Sequence, residues 1–472
     1  MRKPRNSHAD VALAHRPPGL TITRWLYDEL RGAILAGRFE RGAAIAPTRD
    51  LASQHGISRR IVVNVFDQLR DEGYLEAHVG RGTVVSASIP EDYLSRTSAT
   101  SKPSEAPPKP HPVRPFRATI PALTEFPADL WARLSARETR RASVSLLAGN
   151  DPAGFWPLRE AIRDYLGASR GVTCHAGQIV ITSGAQQGVD IIARATIRPG
   201  DSVWIEDPGY KDAAEAFRLA GAKVVPVPVD EHGIVPDAGR ARCPKPRAIY
   251  LTPAHQFPLG VTLRLDRRLD LLQWAQNNRV LIFEDDYDSE FRYFGKPIPA
   301  MRGLGAPDRV FLLGTFNKSL FPAVRLGYVV VPEEWVDPVL RLRDAVDRYP
   351  PALPQATLAA FLTEGHFTKH LRRMRELYGD RLTALRSNVS RYLGGVLELP
   401  QIEAGINIPA FLRNRLTSQQ AGDRATRNNI EVWALDRFTF QQPDPSGLVL
   451  GFAAFSEREI RKGVVELAQA LA

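Results

Sequence analysis

The segment SRTSATSKPSEAPPKPHPVRP limits the fold more than any other feature, because Pro103, Pro107, Pro108, Pro110, Pro112 and Pro115 stand there in polar company. Proline fixes φ and lacks an N–H, and so polar a stretch cannot bury enough apolar surface to build a core. A semi-extended linker over 89–118 is expected, with separate bodies on either side. At 472 residues and 52.3 kDa the chain also exceeds the usual size of one hydrophobic core.

Hydrophobic residues make up 44% of the chain, ordinary for a soluble globular protein. Only Cys174 and Cys243 occur, too few and too separated for a disulfide scaffold or thiolate metal cluster, so a reducing cytoplasm fits. Residues 1–20 are basic but lack the apolar core of a secretion signal, and read as a flexible arm. No later stretch has the apolar length of a membrane span. The formal charge of +10 and pI of about 9.7 favour approach to a polyanion.

Residues 21–88 carry helical periodicity followed by a short alternating segment. In TRWLYDELRGAILAGRF, Trp25, Leu26, Leu30 and Ile34 fall near one helical face, and Gly37 is a plausible stop. PTRDLASQHG predicts a short helix ending at Gly56, and Ser58 stands at the cap of the next helix, RRIVVNVFDQLRDEG. Two helices joined in this way form a helix-turn-helix candidate whose second helix would offer Arg59, Arg60 and Asn64 to base edges or phosphates. YLEAHVGRGTVV then predicts a hairpin wing with Gly80 and Gly82 around an outward Arg81, suited to a minor groove or flanking phosphate. A small helical accessory domain with ordinary surface arginines is the bland alternative.

Residues 119–472 read as an α/β body. IVITSG, SVWIED, KVVPVPV, AIYLTP, VLIFEDD and RVFLLGTF are strand candidates, spaced by amphipathic runs such as GVDIIARATI and RRLDLLQWAQNN. The large subdomain is expected over about 175–335, and a smaller one over about 336–472 together with the N-terminal segment.

A phosphate-bearing aldehyde cofactor needs an amine for imine formation, a carboxylate at its pyridine nitrogen, phosphate donors, and groups for its phenolic oxygen and ring face. Lys318 follows the strand VFLLGTF, near the crevice of an open α/β sheet. Strand alternation sets Asp285 and Tyr287 on one face, with Glu284 and Asp286 opposite. Asp285 can pair with the pyridine nitrogen and Tyr287 can donate to the phenolic oxygen. Read alone, that acidic run also suits a magnesium ion, but the chain lacks the GxxxxGK[ST] loop of the common nucleotide sites, and no metal is expected. In SGAQQG, Ser183, Gly184, Ala185 and Gln186 offer backbone amides at a helix N-terminus. Thr315 and Arg325 flank Lys318 within reach of the same phosphate, and Tyr210 is the candidate for the ring face.

Residues 22–85 resemble the winged helix-turn-helix of GntR bacterial regulators through Arg49, Leu51, Ala52, Gly56, Ser58, Arg59, Val62, Leu69, Glu72, Gly73 and Tyr74. Residues from about 116 onward resemble fold-type I aminotransferases through GFWPLREAIRDYL, SGAQQG, EDPGY, TPAHQFPLGV, EDDYDSEFRY, GTFNKSLFPAVRLGY and LVLGFAAFSEREI. The whole is similar to the MocR subfamily of GntR regulators. That resemblance implies DNA contacts from Arg49, Arg59 and the Gly80–Gly82 wing. It also implies pyridoxal 5'-phosphate joined to Lys318 as an aldimine, with Asp285, Tyr287, Tyr210 and Arg325 in the roles just given.

The chain departs from the pattern at several positions. Phe257, Pro258, Leu259 and Gly260 replace the NPTG turn of the enzymes, so His255 or Gln256 is expected to supply the second donor to the phenolic oxygen. Arg60 stands where asparagine is frequent, and Asn317 where serine is common. For the effector, Arg437 is the preferred carboxylate clamp. Asp212 lies where a relative that senses γ-aminobutyrate has an arginine, and suits a ligand with an additional amine.

The expected function is a cytoplasmic, pyridoxal-phosphate-dependent transcriptional regulator. It would bind double-stranded operator DNA as a head-to-tail homodimer and respond to an amino compound or to the cofactor itself. RNA polymerase is a further candidate partner. Sustained turnover is not expected, although residual or half-transamination is left open. The alternatives are a catalytic aminotransferase with an accessory DNA-binding domain, and a noncatalytic scaffold that dimerises the DNA reader.

Overall fold

The computed structural model describes residues 13–14, 16–78, 82–89, 113–149, 151–295, 298–441, 443 and 445–472. The chain divides into two compact units, Met1–Pro110 and His111–Ala472. Gly80 and Arg81 of the expected wing lie outside the described residues, as do the start of the arm and most of the expected linker.

The first unit comprises α1 (Ile22–Leu35), α2 (Thr48–Gln54), α3 (Arg59–Asp71) and an antiparallel pair, β1 (Leu75–His78) with β2 (Gly82–Val85). Leu26, Leu30 and Ile34 of α1, Leu51 of α2, and Val62, Val65, Phe66 and Leu69 of α3 meet in one core. Each such side chain stabilises the unit by about 1.5–3 kcal/mol when fully buried. Trp25 is only partly buried at its edge. The turn between α2 and α3 passes through Gly56 at φ +63°, a left-handed conformation in which a Cβ would be strained. Ser58 occupies the N-cap of α3 in extended conformation, but its hydroxyl caps no backbone N–H.

The second unit is built on an eight-stranded sheet. Its strands are β3 (Ile179–Thr182), β4 (Ser202–Asp207), β5 (Lys223–Asp230), β6 (Gly233–Ile234), β7 (Ala248–Leu251), β8 (Leu281–Asp286), β9 (Val310–Thr315) and β10 (Gly327–Val330). Their order is β3-β10-β9-β8-β7-β4-β5-β6. Strands β5, β4, β7, β8 and β9 pair in parallel, whereas β10 runs antiparallel to both β9 and β3. Strands β3, β7, β8, β9 and β10 are buried along their whole length, which explains why they read as short continuous apolar runs. GYVV, which forms β10 inside the sheet, was not among the expected strands; four residues after an irregular loop leave no alternation to detect.

A second sheet, β11 (Leu397–Glu398), β12 (Asn407–Leu412), β13 (Trp433–Ala434) and β14 (Gly447–Gly451), is antiparallel in the order β11-β12-β14-β13. Residues 115–118, expected at the end of the linker, belong to this packed body instead. Phe116 is fully buried, its carbonyl accepts from Gly451 N–H at 2.9 Å, and the Pro115 carbonyl accepts from Glu431 N–H at 3.0 Å. The apolar payload of one phenylalanine outweighs the loop-like composition around it.

Candidate functional site

Parallel strands end together, so the C-terminal ends of β4, β7, β8 and β9 deliver their following residues to one edge of the sheet. A cavity of about 520 Å³ opens there. Ten expected residues line it: Ala185, Gln186, Tyr210, Asp212, Asp285, Tyr287, Thr315, Lys318, Arg325 and Arg437. Ser183, Gly184, His255 and Gln256 do not.

Asp285 lies near the end of β8, with Tyr287 one residue past it. Their neighbours point elsewhere: Glu284 accepts from the N–H groups of Met301 and Arg302 at 2.8 and 3.1 Å, and Asp286 pairs with Arg170 at 2.7 Å. The strand alternation thus separates two buried structural acids from the one that faces the cavity. Asp285 Oδ2 accepts from the Tyr250 hydroxyl at 2.5 Å, while its buried Oδ1 has no partner among the described residues. Burial pushes the Asp285 carboxyl up to about 6 against this hydrogen bond.

Lys318 Nζ donates to the Thr119 carbonyl at 3.1 Å. Loss of water around the amine lowers its pKa to about 8, although Asp288 and Asp285 favour the charged form. The Thr315 hydroxyl accepts from Asn317 N–H at 3.2 Å, which leaves its own proton free for an anion.

At the other end of the cavity, Arg325 and the N-terminus of the helix Ala185–Thr196 come together. Gly184 caps that helix at φ +103°, and a Cβ there would meet Asn317 Nδ2 at 3.0 Å and Arg325 Nη1 at 3.5 Å. Ser183 N–H is already taken by Gln187 Oε1 at 2.6 Å, which leaves the amides of Ala185 and Gln186 as the donors of this cradle.

The donor set fits pyridoxal phosphate on chemical grounds. An orphaned carboxylate oxygen suits a pyridinium N–H, a weakly basic amine suits an aldehyde, and an arginine beside a helix N-terminus suits a phosphate.

The second donor expected from His255 or Gln256 is not delivered by either. The Gln256 amide donates to the Pro208 and Phe257 carbonyls at 2.8 and 2.7 Å, and its oxygen accepts from Leu259 N–H at 2.9 Å. His255 is buried behind Tyr287, with Nδ1 3.0 Å from the Tyr287 hydroxyl and 3.0 Å from Asp288 Oδ1. Phe257 fills the wall in front of them. A turn held by its own backbone contacts leaves no polar side chain to spare.

Towards the mouth, burial holds the Tyr210 phenol well above its ordinary range, and the nearby Asp212 carboxylate adds to the effect. The exposed Arg437 guanidinium lies 5.7 Å from the Trp433 ring centroid. Its loop is anchored by Asp207, whose carboxylate accepts from the N–H groups of Phe440 and Gln441 at 2.8 and 2.9 Å.

Sequence reasoning missed Thr119, Tyr250, Thr252 and Trp433 as cavity residues. Tyr250 and Thr252 were findable, since AIYLT ends at the same sheet edge. Thr119 and Trp433 carry no local signal, because they arrive from segments remote in the chain.

In the first unit, Arg49 on α2 and Ser58, Arg59, Arg60 and Asn64 at the start of α3 are exposed. Among the described residues, Arg49, Arg59 and Arg60 form no ion pair, so their charges remain available to a polyanion. Gly82 opens β2 at φ +78°.

The family model for bacterial regulatory proteins of the gntR family matches residues 23–85, and that for aminotransferase class I and II matches residues 129–464. The chain is 37% identical over 469 residues to the probable rhizopine catabolism regulatory protein MocR of Rhizobium meliloti, covering 96% of this chain and 94% of that protein. It is 32% identical over 466 residues to the pyridoxine biosynthesis transcriptional regulator PdxR of Corynebacterium glutamicum, covering 98% and 99%. Among solved structures, the α-aminoadipate aminotransferase LysN of Thermus thermophilus, complexed with N-(5'-phosphopyridoxyl)-L-leucine, superposes with a TM-score of 0.70. It shares 27% identity and covers 76% of this chain and 92% of that one.

Proposed function

The chain belongs to the MocR-like GntR regulators, in which a DNA-binding unit is fused to a fold-type I aminotransferase domain, and from that premise we propose that it senses an amino compound at the Lys318 cavity. The resident cofactor in this reading is pyridoxal 5'-phosphate. The observation that carries it is the pairing, in one cavity, of the Lys318 amine with the partnerless Oδ1 of buried Asp285.

When bound, the cofactor supplies an aldehyde for exchange between Lys318 and a free amine, and a ring that draws electron density from the exchanged group. Asp285 keeps the ring nitrogen protonated, and the Tyr250 hydroxyl fixes the orientation of that carboxylate. Arg325, Thr315 and the amides of Ala185 and Gln186 hold the phosphate. Tyr210 covers the ring face, while Arg437 and Asp212 select the effector at the mouth.

The readers on operator DNA are Arg49, Ser58, Arg59, Arg60 and Asn64, with the Gly80–Gly82 wing. The MocR-like family argues for a homodimer, which we take to be head-to-tail with two readers on repeated or inverted half-sites. An effector changes DNA affinity only by the difference in its binding free energy between the arrangements of the assembly.

The test is operator binding by the full chain with and without cofactor and a panel of amines, followed together with absorbance and a keto-acid turnover assay. Amine-dependent DNA affinity with no sustained turnover supports the reading. Many turnovers with ligand-independent DNA binding reject it in favour of an aminotransferase.

A further inference from the structure

We propose that His255 and Asp288 are a positioning pair that directs the Tyr287 hydroxyl proton into the cavity, toward the phenolic oxygen of the cofactor. The inference rests on the pyridoxal phosphate reading above. It assigns to two residues outside the cavity the task that the Phe257 turn leaves undone.

His255 Nδ1 lies 3.0 and 3.1 Å from the two Asp288 oxygens and 3.0 Å from the Tyr287 oxygen. His255 and Asp288 are almost wholly buried, at 4% and 1% exposure. Asp288 is itself fixed, because its Oδ2 accepts from Ile406 N–H at 3.3 Å. His255 Nε2 is buried and has no partner among the described residues.

These contacts select the tautomer. A proton on Nε2 would orphan a buried donor and turn the bare Nδ1 lone pair toward a carboxylate, two costs at once. A proton on Nδ1 meets Asp288 and leaves only an unused lone pair at Nε2, which is the cheaper orphan. That proton is committed to Asp288, so the Tyr287 hydroxyl faces a nitrogen with no free lone pair and cannot donate to it. Its own proton has no acceptor on that side, and Tyr287 lines the cavity, so the proton turns inward.

Packing keeps the ring in this orientation. Gly405 has φ +96°, and a Cβ on it would come within 2.0 Å of His255 Cε1; one on Gly260 would lie 3.1 Å from Nε2. Backbone thus closes on the imidazole where a side chain would displace it. Phe257 and the engaged Gln256 amide supply no donor beside Tyr287, so the direction of this one hydroxyl decides what the turn side of the cavity offers the phenolic oxygen.

The experiment is a pH titration of the bound-cofactor absorbance in the full-length protein, with Lys318→Ala as the covalent control. Tyr287→Phe sets the full effect of losing the hydroxyl, a shift of about one pH unit in the spectral midpoint. Asp288→Asn frees the imidazole to take the alternative tautomer, and its lost charge also lowers the midpoint directly, a part that the Tyr287→Phe background reads alone. The wild-type background should add a shift in the Tyr287→Phe direction, so the two substitutions are non-additive in the double variant.

Additive shifts in the double variant overturn the proposal. Should thermal unfolding reveal that Asp288→Asn is not folded, His255→Leu enters the same cycle and is read by the same rule. A wild-type chain without Lys318-dependent absorbance overturns the cofactor reading and this inference together. A normal wild-type spectrum with an additive cycle removes the positioning pair alone.

Discussion

The two units solve opposite electrostatic problems. On α2 and α3, Arg49, Arg59 and Arg60 are exposed and meet no counterion among the described residues, so their charges cost little and act at the surface. In the cavity, loss of water around two groups pushes Asp285 up to about 6 and Lys318 down to about 8. Both shifts favour neutral forms, and each is undone by a partner of matching chemistry. A surface that waits for a polyanion is tuned by salt, whereas a cavity that waits for a small molecule is tuned by desolvation.

The strongest test of this contrast is Lys318→Ala. It should abolish covalent cofactor uptake, read as loss of the visible absorbance band, while operator affinity without effector stays near the wild-type value. Loss of both would mean that the two sites are not separable.

Arg59→Ala comes next, with an expected loss of about 10-fold in operator affinity and unchanged cofactor absorbance. Titration against salt separates its role, since a phosphate contact also lowers the salt slope by about 1 while a base contact lowers specificity.

The pH dependence of cofactor uptake sharpens the cavity side. Only the neutral amine attacks an aldehyde, so the association rate should rise about tenfold per pH unit and level off near the Lys318 value of about 8. A rise that continues toward 10.5, the ordinary lysine value, would refute the desolvated environment.

The smallest expected effect concerns the stability of the cofactor-free protein. Because the folded pKa of Asp285 is raised from 3.8 to about 6, the native state binds the extra proton between those values and loses stability as pH rises through them. Asp285→Asn should therefore raise stability at neutral pH by less than about 3 kcal/mol, because the weaker bond from Tyr250 offsets part of the relief, and the gain should vanish below about pH 4. The same substitution should weaken cofactor binding, so stability and function move in opposite directions.

Legibility differed between the units for a related reason. In the first, the apolar faces of α1 and α3 repeat at helical spacing, and exposed arginines near the start of a helix read directly as a surface that meets DNA. In the second, buried strands announced themselves as short apolar runs, and their C-terminal ends located Asp285, Tyr287, Thr315 and Lys318. The donor expected from His255 or Gln256 went elsewhere, because hydrogen-bond partners inside a turn are chosen by its backbone path. Thr119 reached Lys318 across 199 residues of chain, a contact with no trace in local pattern.

What the amino-acid order determined alone was periodicity, strand ends and residue chemistry: a reader of DNA, an α/β body, and an amine and an acid at one sheet edge. Tertiary structure alone decided the environment of those groups, namely the partnerless oxygen of Asp285, the low basicity of Lys318 and the enclosure of His255 between Asp288 and Tyr287. The physical reason is that hydrogen bonding and desolvation depend on which distant segments exclude water from a group, and that is a property of packing rather than of sequence neighbours.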